Sequence, residues 1–169
     1  ARTEPDPVPA VDDTLWLLFS NTKVLTTAAI WSLVEDGALS FHDRVADHIP
    51  EFATHGKDEI TLFQLATHQA GFPNANVSRE TWADHARMRA EVCDFQPEWP
   101  AGSKVHYHGR SAHLVLAMII EAVTGRDFRE VIRERVIGPL GLIDELFVGV
   151  PPEEQQRCPD VHAPPDSEA

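Results

Sequence analysis

One stretch near the start of the chain, LWLLFSNTKVLTTAAIWSLVEDG at 15–37, limits the possible folds more than any other feature. An apolar run at 14–19 suits either a buried strand or the approach to a helix. Over 20–36, apolar residues recur at three- and four-residue spacing, which predicts a helix, and Gly37 supplies a common end signal. Because 43% of the chain is apolar, such a helix can pack into a globular core.

Ser20 and Lys23 lie three positions apart in this predicted helix, so their side chains share one face and reach each other. A serine hydroxyl becomes a nucleophile only when a neighbouring base takes its proton. A lysine amine is such a base when neutral, and burial against Leu17, Phe19 and Val24 would favour the neutral form. The pair therefore predicts a serine nucleophile, although a capping serine before a surface lysine commonly gives the same spacing.

The rest of the chain reads as mostly helical. Periodicity and end signals predict helical segments at about 43–50, 61–71, 78–93, 110–124 and 127–137. Thr61 and Ser78 are the expected caps of the segments that they begin. A brief extended stretch precedes Arg110, and few strands are expected.

Four motifs occur in a set order along the chain. They are the Ser20–Lys23 pair, EDGAL at 35–39, DRV at 43–45 and LATHQAG at 65–71. In this order they resemble the serine β-lactamase-like and penicillin-binding-protein-like hydrolases, a family that includes class C β-lactamases, D-Ala-D-Ala peptidases and family VIII carboxylesterases. The resemblance runs from about residue 12 to residue 158, and its motifs together outweigh the chance occurrence of a single Ser-x-x-Lys.

The resemblance implies an α+β fold of the β-lactamase/transpeptidase type. This chain would be its mostly α-helical part, with the sheet strands largely missing. We therefore expect one partial domain over 1–169. It would comprise a lead-in loop at 1–13, the nucleophile helix region at 14–37, a helical lobe at 38–150 and a loose tail at 151–169 that is rich in Pro, Glu and Asp.

The family's second motif is a tyrosine in a loop before an apolar helix, and Tyr107 in SKVHYHGRSAHLVLAMII matches it. The motif is often Tyr-x-Asn, whereas Gly109 stands at the Asn position here, which is closer to the esterase branch. A phenol near Lys23 can share the proton transfers that acyl transfer requires. His106 and His108 flank this tyrosine, and we expect both to line the substrate-binding mouth of the site.

The family's third motif, a Lys-Thr-Gly or His-x-Gly triplet on a strand, has no match after Tyr107. By the resemblance, that strand gives one oxyanion-hole amide and the Ser20 amide gives the other. We therefore expect the chain to be the middle portion of a longer protein. Its partner would be the remainder of its own domain, as a missing segment or a second chain, and the fragment alone would be inactive.

Together these features predict a serine hydrolase that cleaves a carboxylic ester or small amide through an acyl-enzyme on Ser20. Lys23 would take the serine proton, Tyr107 would pass it onward, and no cofactor or metal would be needed. Other activities of the same fold stay open: β-lactamase, D-amino-acid peptidase or amidase, and acyltransferase. A non-catalytic binding or scaffold protein of the fold is the alternative of another class.

Two rival sites carry less weight. Ser111 in Gly-x-Ser-x-His approximates a nucleophile elbow, but a helix-start residue is the better interpretation because no β-α-β alternation surrounds it. The scattered histidines, His106-x-His108 among them, lack a third ligand at a confirming spacing for a metal site. His68 is expected to be a core or turn residue that hydrogen-bonds backbone.

Charge and composition restrict the partners. A net charge of -13 argues against nucleic acid, which needs clustered Lys and Arg. No apolar stretch reaches the roughly 18 residues of a membrane span. Two cysteines are too few for a disulfide framework. The compartment is undetermined, with the cytoplasm slightly favoured and a cleaved leader compatible with a first residue that is not Met.

Overall fold

The computed structural model describes residues 9–160 of the chain. Its α-helices are α1 (Thr22–Glu35), α2 (Val45–His48), α3 (Leu62–Ala66), α4 (His85–Cys93), α5 (Ser111–Thr124) and α6 (Phe128–Ile132). Shorter 3₁₀ turns lie at Phe19–Asn21, Pro50–Ala53, Arg79–Ala83, Gly138–Leu140 and Pro152–Arg157, and Arg133–Ile137 is π-helical. Within 9–160 there is no strand, only an isolated antiparallel bridge between Arg44 and Thr61, so the predicted mostly helical character is confirmed.

Helix α5 lies at the centre of the molecule. Its sequence SAHLVLAMIIEAVT is apolar on nearly every face, and the six residues 115–120 are all buried. A helix that is apolar all round needs neighbours on all sides, and α1, α3, α4 and α6 pack against it. Each large apolar side chain buried in this way contributes about 1.5–3 kcal/mol relative to exposure.

Helix α1 has one face in this core and one face outside it. Leu25, Ala29, Ile30 and Leu33 are buried at helical spacing, whereas Val24 and Trp31 on the outer face are exposed. The helix begins two residues later than predicted, because Ser20 lies in the preceding 3₁₀ turn. Its predicted end is confirmed: Gly37 adopts φ 74° and donates its N–H to the Val34 carbonyl.

Other predicted helices also differ from those in the structure. The segment predicted at 78–93 divides into a 3₁₀ turn and α4, since the Asp84 side chain caps α4 by accepting from the Arg87 N–H. Ser78 is therefore not a helix cap; its hydroxyl donates to the Glu91 carboxylate at 2.6 Å. The segment at 127–137 changes from α6 to the π-helical turn.

The helix predicted at 61–71 is also shorter than expected. Thr61 caps it as predicted, accepting from the Gln64 N–H at 3.3 Å, but α3 ends at Ala66. His68 then takes a left-handed conformation with φ 60°, which no α-helix can contain. The chain consequently turns away two residues after the helix ends.

The described part of the tail contacts earlier segments of the chain through Arg157. The Arg157 side chain donates to the Asp13 and Asp144 carbonyls and pairs with Glu145, while its own carbonyl accepts from the Leu15 N–H at 3.0 Å. The predicted loose character of 161–169 and most of the lead-in, 1–8, fall outside the described residues. Among the helices of 9–160, none has the length and apolarity to cross a bilayer.

Candidate active site

Three of the predicted site residues meet at one point. Lys23, in the first turn of α1, donates from Nζ to Ser20 Oγ at 3.1 Å. The Tyr107 hydroxyl donates to the same oxygen at 2.6 Å, although this residue is 87 positions further along the chain. Ser20 Oγ is therefore hydrogen-bonded by both groups that could exchange a proton with it.

The backbone beside the serine is strained. Phe19 adopts a left-handed conformation with φ 48°, which is uncommon for a bulky residue, and its side chain is 68% exposed. Residues 19–21 form the 3₁₀ turn that leads directly into α1. This arrangement places Ser20 on the exposed surface, one turn before Lys23, where its oxygen is accessible to a reactant.

The predicted apolar enclosure of Lys23 is wrong for the described residues. Leu17, Phe19 and Val24, the side chains expected to bury the amine, are 59%, 68% and 68% exposed. Lys23 itself is half-buried, and its Nζ lies 5.0 Å from the centre of the Tyr107 ring. The contacts of the Lys23 amine are therefore with Ser20 and Tyr107 rather than with an apolar enclosure.

This geometry lowers the pKa of Tyr107. A hydrogen bond from Lys23 lowers the pKa of the Tyr107 phenol below its ordinary value of 10, and the hydrogen bond with Ser20 lowers it further. Both stabilise the phenolate. A phenolate at 2.6 Å from Ser20 Oγ has the position and the basicity to accept the serine proton.

Tyr107 is held by the turn that follows α3. The two peptide N–H groups on either side of it donate to His68: His106 N–H to the His68 carbonyl at 3.0 Å, and His108 N–H to His68 Nδ1 at 3.2 Å. The His68 and Tyr107 rings are also in contact, with centroids 4.9 Å apart. The expectation that His68 hydrogen-bonds backbone is confirmed.

The two histidines beside Tyr107 have different surroundings. His108 is fully buried; Nδ1 pairs with the His106 carbonyl at 2.6 Å and Nε2 accepts from the Phe72 N–H at 3.2 Å. Since both ring nitrogens are used internally, the prediction that His108 lines the substrate mouth is wrong. His106 is exposed, with its ring against the edge of Trp99, and its contact with substrate stays a prediction.

Ser111 is a helix-start residue rather than a nucleophile. It is fully buried at the beginning of α5, and its hydroxyl donates to the Phe72 carbonyl at 2.8 Å.

In the described ranges, only His85, Glu121 and Asp127 bring three possible metal-ligand atoms within 4.8 Å of one another. His85 already pairs with Glu121, and Asp127 pairs with Arg129.

Sequence reasoning missed the contact between His68 and the Tyr107 segment. His68 lies inside the LATHQAG motif, and that motif was the available signal. Nothing in the local pattern indicates that a turn residue will accept a hydrogen bond from an amide 40 positions away. Lys23 acts on the same cluster. Burial of His68 is the larger cause of its lowered pKa, and the charge of Lys23 lowers that pKa further.

Comparisons with known proteins show the family of the chain. The family model described as Beta-lactamase matches residues 2–169. "Esterase/beta-lactamase LipL" of Mycobacterium tuberculosis is 30% identical over 161 residues, which are 94% of this chain and 37% of that protein. The chain thus spans little more than a third of the length of the curated relatives that it matches.

Solved structures give the same fold. A penicillin-binding protein homolog from Caulobacter crescentus superposes with a TM-score of 0.82 at 36% identity, covering 94% of this chain and 43% of that one. A family VIII carboxylesterase superposes with a TM-score of 0.79 at 29% identity, covering 86% of this chain and 41% of that one. The predicted β-lactamase/transpeptidase-like fold is confirmed.

Proposed function

The chain belongs to the beta-lactamase family of serine hydrolases, and from that premise we propose that it carries the nucleophile of an enzyme that cleaves carboxylic esters. The observation that supports this most directly is the pair of hydrogen bonds on Ser20 Oγ, from Lys23 at 3.1 Å and from Tyr107 at 2.6 Å. Ser20 would attack the ester carbonyl and form an acyl-enzyme.

In the proposed mechanism the Tyr107 phenolate, stabilised by Lys23, takes the Ser20 proton as Oγ bonds to the carbonyl carbon. Tyr107 then returns that proton to the leaving alkoxide as the carbon–oxygen bond of the ester breaks. Water, deprotonated by the same phenolate, attacks the acyl carbon. The bond between that carbon and Ser20 Oγ then breaks, Tyr107 gives the proton to Oγ, and the carboxylic acid leaves with Ser20 and the phenolate restored. The lowered pKa of Tyr107 supports giving it the role of first proton acceptor, which the sequence had suggested for Lys23.

An ester is favoured over a lactam because Gly109 stands where penicillin-recognising relatives often carry Asn. The space beside Gly109 is open, since a Cβ there would meet no atom within 4 Å apart from its chain neighbours. A lactam or D-amino-acid peptide is the second candidate substrate, supported by the 36% identity to a penicillin-binding protein homolog. Either substrate would form the same acyl-Ser20 intermediate.

We also propose that a further segment, from the same domain or a second chain, covers the surface beside Ser20 in the working enzyme. Trp16, Leu17 and Phe19 are 60%, 59% and 68% exposed there, an unusual concentration of apolar surface for a soluble protein. Such a segment would supply the missing oxyanion-hole strand. We expect the 169-residue chain alone to have no esterase activity.

The test measures hydrolysis of p-nitrophenyl acetate and butyrate, and of the chromogenic cephalosporin nitrocefin, by the full-length protein. We expect ester hydrolysis to exceed lactam hydrolysis, and Ser20→Ala to lower kcat/KM for the esters by at least about a thousandfold. Ser32→Ala is the matched control, because Ser32 lies on α1, the helix that follows Ser20, and its hydroxyl donates a hydrogen bond to the Ala29 carbonyl. Full activity in Ser20→Ala would exclude Ser20 as the nucleophile, and no activity in the wild type would support a non-catalytic scaffold instead.

A further inference from the structure

The segment that carries Tyr107 has no regular secondary structure of its own. Residues 104–108 belong to no helix and pair with no strand in the described part of the chain. A segment of this kind has many accessible conformations, and an unrestrained Tyr107 would lose its 2.6 Å contact with Ser20. Some other element must therefore fix the backbone at 106–108.

His68 provides that restraint from two directions. Its carbonyl accepts the N–H of the residue before Tyr107, and its Nδ1 accepts the N–H of the residue after it, at 3.0 and 3.2 Å. Its ring then lies against the phenol, with centroids 4.9 Å apart and planes inclined at 52°. A single residue thus holds the peptide groups on both sides of the tyrosine and one face of its ring.

The backbone of His68 makes this double contact possible. With φ 60° it occupies the left-handed region, which is unfavourable for a residue other than glycine. The strain is retained because the structure around it determines the conformation, a pattern that often marks functional positions. If α3 continued through this position, the His68 carbonyl would accept a hydrogen bond within the helix and could not accept the His106 N–H.

The hydrogen-bond pattern also determines the protonation of the ring. A backbone N–H can only donate, so His68 Nδ1 must be an unprotonated acceptor, and the ring is neutral with its proton on Nε2. Burial, and then the charge of Lys23, lower the pKa of His68, which favours this neutral form. The rings of His108 and His113 lie 5.9 Å away and complete the surroundings.

We infer that His68 is a positioning residue for the hydrolase reaction: it clamps the amides that flank Tyr107 and so holds the phenol at hydrogen-bond distance from Ser20. This inference rests on the proposed function, because the contact matters for catalysis only if Tyr107 exchanges a proton with Ser20. His68 touches neither Ser20 nor the reacting carbonyl, so its effect passes through Tyr107.

His68→Gly is the direct test in the full-length protein, because glycine accepts the left-handed backbone and only the ring is removed. We expect kcat for p-nitrophenyl acetate to fall by about tenfold to hundredfold with little change in KM, the cost of a misplaced proton-transfer group. His68→Asn should recover most of the loss, since Asn tolerates φ > 0 and its side-chain oxygen can accept the His108 N–H.

His55→Gly is the matched control. His55 is also a turn histidine with a left-handed backbone, φ 57°, but it is exposed and its ring is hydrogen-bonded to Asp94 rather than to the Tyr107 segment. We expect wild-type kcat in this variant. If His55→Gly lowers kcat as much as His68→Gly does, the loss reflects turn stability and the inference is overturned.

A double-variant cycle separates positioning from a general structural effect. In a Tyr107→Phe background, His68→Gly should cause no further loss of kcat, because the group that it positions is already absent. An equal loss in both backgrounds would contradict the inference.

If Ser20→Ala is inactive while His68→Gly keeps wild-type kcat, the positioning role fails and the proposed function stands. If Ser20→Ala keeps full activity, the proposed function itself fails.

Amide hydrogen exchange in the wild type tests the clamp even if His68→Gly does not fold. We expect the His106 and His108 amides to be protected and the Val105 amide, in the same exposed segment, to exchange quickly. Protection equal to that of Val105 at both histidine amides would show that the clamp does not persist in solution, and would overturn the inference.

Discussion

Ser20 Oγ accepts hydrogen bonds from two different donors, and this is the chemical core of the site. Lys23 and Tyr107 both point protons at the same oxygen. A serine about to attack must instead give up its own proton, so one of the two neighbours has to be deprotonated first. In the proposed mechanism that neighbour is the Tyr107 phenol, whose pKa is lowered by hydrogen bonding with Lys23 and Ser20.

This assignment predicts a pH dependence. Because the base must be deprotonated, acylation by p-nitrophenyl acetate should rise with pH through the pKa of Tyr107, on a limb centred below the ordinary value of 10. Lys23→Ala removes the main cause of the lowered pKa, so the limb should move towards 10 and the rate near neutrality should fall. Pre-steady-state kinetics across pH measure this directly.

Lys104→Ala is the control for that shift. Lys104 lies on the same loop as Tyr107, but its amine is placed 3.5 Å from the centre of the Trp99 ring. Its removal should leave the limb unchanged. A limb that stays in place in Lys23→Ala would contradict Tyr107 as the base.

At the scale of elements, the sequence was informative where a strong period and an end signal coincide. Helices α1 and α5 were predicted nearly to the residue, because their apolar residues repeat regularly and Gly37 and Gly125 follow them. Prediction was poorer where side chains compete for caps. Asp84 begins α4 although Ser78 was the expected cap, since Ser78 is bonded to Glu91 instead.

The site was predictable to a similar, partial extent. Ser20 and Lys23 are close through helical spacing alone, which sequence shows directly. Tyr107 required the resemblance to a family, because its position depends on how α3, α5 and their loops pack. The exposure of Leu17, Phe19 and Val24 was not predictable, since an apolar residue is outside the core whenever its neighbours in space are absent.

Gly71, which follows α3, is a position where we expect any side chain to be destabilising. This residue adopts φ 91°, and a Cβ there would lie 2.2 Å from the Trp99 carbonyl oxygen. Gly71→Ala must therefore displace the 98–102 backbone, whose Glu98 N–H donates to the Gly71 carbonyl at 2.8 Å. We expect a loss of about 2–4 kcal/mol in the free energy of unfolding, measured by urea denaturation.

Gly56→Ala separates the clash from backbone strain. Gly56 has a similar φ of 73° but open space around its Cβ position. It should lose only about 1 kcal/mol, the cost of a left-handed alanine. Equal losses at the two positions would show that the Trp99 contact has no energetic weight.

For the whole molecule, a group of buried histidines links stability to acid. Burial, with smaller contributions from His68 and Lys23, lowers the pKa of His113 from 6.5 to about 4. Its Nε2 lies 3.3 Å from Thr27 Oγ1, and its buried Nδ1 has no hydrogen-bond partner. The folded state therefore has no acceptor arranged for a second ring proton.

The sign of the effect follows from linkage. Above pH 6.5 the His113 ring is neutral in both states, and between 6.5 and about 4 only the unfolded chain binds the proton. The free energy of unfolding should thus decrease over this range by up to roughly 3 kcal/mol. His113→Leu should flatten this part of the profile, as measured by urea denaturation at several pH values. A profile as steep as in wild type would contradict the assignment.

The fold of the described residues presents this site at its surface. Helix α1 is buried on one face and exposed on the other, and Ser20, Lys23 and Tyr107 lie beside exposed apolar side chains. The helical core holds the three groups together, while the surface next to them fits a covering segment.

The central claim is that Lys23 and Tyr107 make Ser20 the nucleophile, and covalent labelling tests it most directly. The full-length protein is treated with a fluorophosphonate, and the modified residue and its rate are determined by mass spectrometry of peptides. We predict one adduct, on Ser20, with labelling slowed at least about a hundredfold in Lys23→Ala and in Tyr107→Phe. An adduct elsewhere, or equal rates in all three proteins, would contradict it.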